Sequence, residues 1–217
     1  RLAAAMTIIM FGVHIVDLLK TKKRQKASWK KFVFGPDSMM FNRKDLSDLI
    51  ASLKWFTGKG PRTEFGRWTY WEKFDYFAVF WGMIVIGSTG LTLWFPELFT
   101  LVIPGWMLNI ATIVHSDEAL LAVGFIFTVH FFNTHLRPEK FPMDTVIFTG
   151  RMSVEELEED KPGEYKALVE SGTLNDNLVE PYQPIVLRAV RAFGTVAVVL
   201  GLGMVLLIIY AMIFAYR

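Results

Sequence analysis

The sequence contains no cysteine, and this absence excludes several kinds of site at once. Disulfide bonds, thiolate zinc sites, iron–sulfur clusters and covalently attached c-type haem, which needs a C-x-x-C-H motif, all require cysteine. The phosphate-binding motif G-x-x-x-x-G-K-[ST] is absent too, so nothing predicts ATP or GTP chemistry. Charge of one sign is not in excess, because 23 Lys and Arg stand against 21 Asp and Glu, and we expect no nucleic-acid partner.

Apolar residues make up 53% of the 217 positions, which is above the roughly 45–50% usual in soluble proteins. A hydrocarbon core of about 30 Å needs roughly 20 apolar residues in a helix. Four stretches come close to that length, namely 1–19, 75–95, 107–136 and 188–216. The sequence therefore predicts an all-α fold, an integral membrane four-helix bundle.

The connections between these spans differ in their content of basic residues. The loop 20–74 carries 14 Lys and Arg, the loop 137–187 carries five, and the segment 96–114 carries none. Cytoplasmic loops are enriched in Lys and Arg. We therefore expect both long loops to face the cytoplasm and the short connection 96–106 to face the other side.

Both long loops are predicted to contain short amphipathic helices at the membrane interface. In 42–56 the apolar residues recur at helical intervals, as Leu46, Leu49, Ile50, Leu53 and Phe56. This spacing is typical of a helix that lies on a membrane surface. In the second loop, Ser153 followed by Glu156 predicts a capping box that opens an acidic helix.

The chain has four histidines, and an ionisable side chain inside a bilayer is usually functional because it is costly. His115 and His130 share the third span, about 22 Å apart along an α-helix and about 60° apart around it. Haem iron accepts imidazoles as axial ligands. Two histidines on one face, one toward each membrane surface, predict two stacked haems.

Five glycines are candidates for close approach of a flat macrocycle to the backbone. Gly124 lies between His115 and His130, Gly12 lies in the first span, and the second span contains Gly82, Gly87 and Gly90. The alternative for each is ordinary packing of small residues between membrane helices. For any single glycine that alternative is the more frequent one.

His14 is the candidate ligand on the first span, which runs in the same direction as the third. We expect His14 and His130, both toward the cytoplasmic side, to ligate one haem as a pair. His115 then has no partner within the sequence. The corresponding position on the first span falls just upstream of Arg1, and we expect a histidine there.

His135 and Arg137 lie at the cytoplasmic exit of the third span. In an α-helix His135 is about 140° around from His130, and it is predicted to contact a quinone or a haem propionate, or to be solvated. A further alternative is that His135 and His14 ligate the same haem. Arg137, with Lys140, is predicted to contact propionates or lipid. The candidate hydrogen-bonding groups for a quinone are His135, Asn133, Asp144 and Glu139.

These residues resemble a known family. The His115-x14-His130 helix resembles the dihaem helix of cytochrome b and b6. The chain to about residue 165 is similar to dihaem cytochrome b subunits associated with multihaem c-type cytochromes in anaerobic respiratory bacteria, which are related to the b subunits of formate dehydrogenase and nickel–iron hydrogenase. The segments that carry this similarity are RLAAA at the start, FGRWTYWEKFDYFAVFWG (65–82), LWFPELF (93–99) and HSDEALLAVGFIFTVHFFNTHLRPEKFPMDTVIFTG (115–150).

The resemblance implies two non-covalent b haems in the bacterial inner membrane. It implies a quinone, menaquinone or a similar one, as one electron partner and a periplasmic multihaem c-type cytochrome or other redox subunit as the other. In that family a motif HR-[LI]-A-A supplies a haem histidine, which agrees with the ligand expected before Arg1. The chain is then a subunit of a respiratory complex of the quinol:cytochrome c oxidoreductase type.

Three alternatives remain open. One is an anchor subunit of a formate dehydrogenase or hydrogenase, with the same haems and another partner. A second is a small proton-coupled transporter without haem, using Asp17, Asp75, Asp117 and Glu118; four spans without repeat symmetry weigh against it. A third is a structural anchor without cofactor, which leaves the spacing of the histidines unexplained.

Overall fold

The computed structural model describes residues 1–26, 28–35, 38–137, 140–141 and 143–215. Within these ranges the regular structure is helical and includes no strand. The chain divides into two compact units, Arg1–Ala119 and Leu120–Arg217. The predicted all-α fold class is confirmed.

Over its described residues, the first unit begins with five helices and ends within a sixth. Their bounds are α1 Leu2–Arg24, α2 Trp29–Phe34, α3 Arg43–Phe56, α4 Tyr70–Trp94, α5 Pro96–Phe99 and α6 Met107–Phe125. Capping boxes start α3 and α4, in which Asn42 pairs with Asp45 and Thr69 pairs with Glu72. Each box satisfies backbone N–H groups that a helix start otherwise leaves without partners.

In its described part, the second unit continues α6 through two π-helical turns and adds four helices and a 3₁₀ turn. The bounds are α7 Val146–Thr149, α8 Val154–Asp160, α9 Pro162–Glu170, the turn Asn175–Asn177 and α10 Pro184–Phe214. Ser153 caps α8 by accepting the backbone N–H of Glu156. The capping box predicted there is incomplete, because the Glu156 carboxylate pairs with Lys140 instead.

Among the described residues, four helices are long and apolar enough to cross a membrane, which confirms the prediction of a multi-pass membrane protein. They are α1, α4, the extended α6 over Met107–Leu136, and α10. No residue in the most apolar 18-residue window of α1 is buried, and only 11% of the corresponding window of α10 is buried. Apolar side chains that point outward along a whole span are what a lipid-facing helix requires.

The helices extend beyond the apolar runs used to predict them. α1 continues from residue 19 to Arg24, and its last turn contains Lys22, Lys23 and Arg24, whose charges favour a helix C-terminus. α4 begins at Tyr70, before position 75, because Thr69 caps it. α10 begins at Pro184, whose fixed φ suits a first helical turn. The predicted end at 216 lies outside the described residues.

The second half of the third span is not a regular α-helix. Two π-helical turns, Ile126–His130 and Phe132–Leu136, follow α6. The Phe131 and Arg137 backbone N–H groups accordingly donate to the carbonyls five residues before them. A π turn rotates each residue by less than an α turn does, so the α-helical angles predicted for His130 and His135 do not apply. Such turns are often found at functional sites.

Gly201 lets α10 approach these π turns. A Cβ at position 201 would lie 2.7 Å from Phe127 Cε1 and 3.3 Å from Phe131 Cε2, whereas one at Gly203 would meet nothing within 4 Å. Both aromatic rings are rigid, so a methyl group at position 201 forces a shift of side chain or backbone.

We expect Gly201→Ala to lower the thermal unfolding midpoint of the purified protein and Gly203→Ala to leave it unchanged or raise it. Overpacking costs about 1–3 kcal/mol, whereas the helix propensity gained from alanine is about 1 kcal/mol. Gly203 is the matched control because it lies on the same helix, two residues farther along. Equal midpoints for the two variants would show that the contact of α10 with Phe127 and Phe131 is not tight.

Candidate haem-ligand site

His115 lies in the first unit with its ring orientation fixed by α4. Its Nδ1 is 3.0 Å from the hydroxyl of Thr89. That hydroxyl is also 2.6 Å from the carbonyl oxygen of Val85, to which it donates its only hydrogen. Thr89 therefore accepts a hydrogen bond from His115, and the proton of the neutral imidazole lies on Nδ1.

This tautomer leaves the Nε2 lone pair of His115 available. No hydrogen bond from the described residues reaches Nε2, and the side chain is half-buried. Histidines that ligate metals donate their other ring N–H to a protein oxygen, which fixes the tautomer and makes the ligand more basic. His115 has this arrangement, so its surroundings fit the role of an axial haem ligand.

Gly90 provides the space for the His115 ring. A Cβ at position 90 would lie 3.0 Å from His115 Cε1, so even alanine would press against the imidazole. Thr89 was not among the candidates taken from the sequence, and Gly90 was a candidate there only for close approach of a macrocycle, not for contact with a histidine ring. The available signal was the triplet Ser88-Thr89-Gly90, a polar and small interruption within an otherwise apolar run.

His14 has a different environment in the same unit. A hydrogen bond of 2.9 Å joins its Nε2 to the hydroxyl of Tyr76, and its ring meets Tyr76 and Phe80 edge-on. Since the nitrogen suited to ligation is engaged, His14 fits an iron ligand only if Tyr76 releases it. Tyr76 is a second residue that the sequence did not mark.

His130 and His135 both lie in the π-helical turns of the second unit. His130 is half-buried, and its ring centroid lies 6.5 Å from that of Phe131. Phe131 also meets His135 edge-on at 5.2 Å. The same phenyl ring therefore packs against both histidines and, as described above, lies close to Gly201.

His135 is only 8% exposed, and its Nδ1 is buried without a hydrogen-bond partner among the described residues. A buried polar atom without a partner costs free energy, so such atoms in native structures generally have a function or a bound group. His135 Nδ1 is thus a buried polar atom at the end of the third span that no described residue satisfies. Solvation, one of its predicted roles, does not suit this burial.

Gly12 and Gly124 each face open space. A Cβ at either position would meet no heavy atom within 4 Å. A haem macrocycle would fit this space, but so would a lipid chain. Their predicted part in haem binding stays a prediction.

Arg137 and Lys140 lie in a cluster of charges beyond the third span. Arg137 Nη2 is 3.2 Å from Asp160 Oδ1. Lys140 Nζ pairs with Glu156, lies 2.7 Å from Asp160 and lies 3.7 Å from Asp144. Both cations therefore have carboxylate partners, and their predicted contact with propionates or lipid stays a prediction.

Burial and pairing act in opposite directions on the protonation of this cluster. Burial of Lys140 disfavours its charge, but hydrogen bonds to Asp160 and Glu156 outweigh burial and raise the Lys140 pKa. Burial likewise disfavours the Asp160 carboxylate, but Lys140 and Arg137 hold its pKa below the ordinary value. Both shifts favour the charged forms of Lys140 and Asp160.

The remaining candidates are not brought together into a site. Asp17 lies in a cleft with Lys20, Lys23 and Arg24 at the end of α1, and Glu139 lies outside the described residues. Over the described part of the chain, no three histidines or acids converge to hold a metal ion. Haem does not need such a group, because the protein supplies only the axial ligands to its iron.

Comparison with family models, curated proteins and solved structures finds no significant match. The resemblance to dihaem cytochrome b stays a prediction that rests on the residues quoted for it. The case for a function therefore depends on the surroundings of the histidines.

Proposed function

We propose that this chain is a b-type cytochrome subunit that exchanges electrons between the quinone pool and a periplasmic multihaem c-type cytochrome. His115, His130 and His14 are the proposed axial ligands of two non-covalent b haems. The observation that carries the proposal is the environment of His115. Its Nδ1–H donates to Thr89 and its Nε2 remains available within a membrane-spanning helix.

The energetic argument starts from the cost of an imidazole in a membrane span. Burying a polar group without a hydrogen bond costs several kcal/mol in an apolar solvent. A packing role would be expected to satisfy both ring nitrogens, yet the described residues satisfy one in His115 and leave Nδ1 of the buried His135 without a partner. A ligand outside the protein accounts for both nitrogens.

Haem supplies a one-electron carrier that no side chain of this chain provides. The chain's residues fix its place and its ligand field. Thr89 keeps His115 in the ligating tautomer, and Gly90 admits the ring. Tyr76 is hydrogen-bonded to His14 Nε2 and would have to release it before His14 could ligate iron.

His135 is the proposed hydrogen-bonding group for the quinone. Quinone pockets are apolar slots with one or two polar groups that fix orientation. His135 combines a buried Nδ1 without a partner in the described residues with the edge of Phe131. With the basic loops assigned to the cytoplasm by the positive-inside rule, this site lies on the cytoplasmic side of a bacterial inner membrane.

The proposal is tested by reducing the purified protein with a soluble menaquinol analogue and following the haem band by stopped-flow absorbance. We expect the quinol to reduce the wild-type protein. His135→Leu should slow that reduction by about tenfold, the loss of roughly one hydrogen bond. The haem content and the extent of reduction by dithionite should not change.

His135→Gln is the matched control, because it keeps a hydrogen-bonding group at nearly the same reach. It should retain more of the quinol rate than His135→Leu. A wild-type protein that dithionite reduces but quinol does not would contradict the quinone partner. Loss of haem in His135→Leu would contradict the quinone role and make His135 a ligand.

A further inference from the structure

Helix α3 buries its polar side and exposes its apolar side, which is the reverse of a helix in a soluble protein. The buried residues recur at helical spacing and are Asp45, Asp48 and Ser52. The apolar residues Leu46 and Phe56, by contrast, are 63% and 72% exposed. Ile50 and Leu53 lie between them and are exposed as well.

The polar side holds α3 against the first turn of α4. Lys73 Nζ lies 2.9 Å from Asp45 Oδ1, and the two residues are 3% and 5% exposed. Farther along α3 the hydroxyls of Ser52 and Thr63 form a hydrogen bond of 3.1 Å. Removing one partner of a buried ion pair leaves an uncompensated charge, so this contact fixes which side of α3 faces outward.

The exposed apolar side of α3 lies beside that of a membrane-spanning helix. Phe41, just before α3, meets Phe77 in the second turn of α4, with ring centroids 6.2 Å apart. Both rings are exposed. Because Phe77 lies near the start of a membrane-spanning helix, this contact places the start of α3 beside the end of that span.

The basic residues around α3 favour its contact with an anionic surface. Residues 20–74 contain 14 Lys and Arg but only five Asp and Glu. Three of the basic residues, Arg43, Lys44 and Lys54, lie on α3 itself. Basic segments beside a span are attracted to anionic lipid headgroups, and an apolar helix face with basic residues around it is typical of helices that lie in the interface.

We propose that the apolar side of α3 is a lipid-binding surface embedded in an anionic leaflet at the end of α4. Leu46, Ile50 and Leu53 enter the boundary between headgroups and acyl chains, and the basic residues contact the headgroups. The buried Lys73–Asp45 pair is the device that holds the helix in this orientation. The proposal does not depend on haem or on electron transfer.

The absence of native cysteine allows a direct test with single spin labels. Leu53→Cys and the matched control Ser47→Cys lie on different sides of α3, and both positions are exposed. Each labelled full-length protein is placed in nanodiscs of phosphatidylcholine with phosphatidylglycerol. The accessibility of the label to oxygen and to a water-soluble nickel complex is then measured by power saturation.

We expect the label at 53 to be more accessible to oxygen than to nickel, and the label at 47 to show the opposite preference. In nanodiscs of phosphatidylcholine alone the oxygen preference at 53 should fall. Equal nickel access at both positions would overturn the proposal. A label at 53 shielded from both reagents would also overturn it, because a protein partner would then cover the surface. An oxygen preference at 53 that is the same without phosphatidylglycerol would overturn the anionic preference.

Discussion

Replacing His115 with alanine should remove one of two haems, so that the haem content of the purified protein falls to about half of the wild-type value. The reason is that His115 is a proposed ligand whose tautomer is set by Thr89, with no described hydrogen bond to Nε2. The measurement is a pyridine haemochrome assay on protein of known concentration. The haem that remains should keep its own midpoint potential.

Thr89 gives a finer test of the same site. Thr89→Val keeps the shape of the side chain but removes the oxygen that accepts the Nδ1–H of His115. Loss of such an outer-shell partner typically weakens metal affinity by about 10–100-fold. We therefore expect the protein to lose haem faster to a haem-scavenging globin, with a shifted midpoint potential for that haem.

Thr89→Ser is the matched control because it retains the hydroxyl and should behave like wild type. A structural role for Thr89 would lower stability in the valine variant without changing the potential of either haem. If His115→Ala retains the full haem content, His115 is a packing residue and the assignment of ligands is wrong.

The second large effect is expected at Lys140, whose replacement by methionine should release α8 from the end of the third span. Lys140 is 8% exposed and is the shared cation of Asp144, Glu156 and Asp160. Its removal leaves carboxylates close together with one cation fewer. Losing one partner from a buried ionic group costs about 3–5 kcal/mol.

Hydrogen exchange of the amides in α8 and α9 measures this release. Exchange there should accelerate in Lys140→Met and remain unchanged in Lys59→Met, an exposed lysine outside the cluster. Unchanged protection of α8 in Lys140→Met would mean that the ion pairs do not hold that helix.

The same cluster predicts a dependence on pH with a definite sign. Despite burial, which favours the neutral acid, Lys140 and Arg137 lower the Asp160 pKa below its ordinary value of 3.8. A carboxyl whose pKa is lowered by folding stabilises the folded state above its unfolded pKa, and this contribution is lost as pH falls through the folded pKa. We expect protection of α8 to be constant from neutral pH to about 5 and to fall only below 3.8.

The sequence was sufficient for features that depend on local periodicity. The spans follow from apolar runs, and α3 follows from the spacing of its leucines and from Asn42, which begins it. The contact that fixes the outward apolar side of α3 was not predictable in the same way. It depends on Lys73, which is 28 residues from Asp45 in the sequence and meets it only in the folded unit.

The surroundings of the histidines were predictable only in part. The bilayer argument marks His115 as a candidate, but Thr89 and Gly90 lie on another helix and contact it only through tertiary packing. The π turns that contain His130 and His135 have no clear signature in the sequence. A prediction based on 100° per residue therefore gives the wrong angle between these two rings.

The most direct test of the central claim is the dithionite-reduced minus air-oxidised absorbance spectrum of the purified full-length protein, with haem counted by the pyridine haemochrome. We expect a b-type α-band and two haems per chain. Absence of any haem band from a folded sample produced in cells supplied with haem would contradict the proposed electron-transfer function.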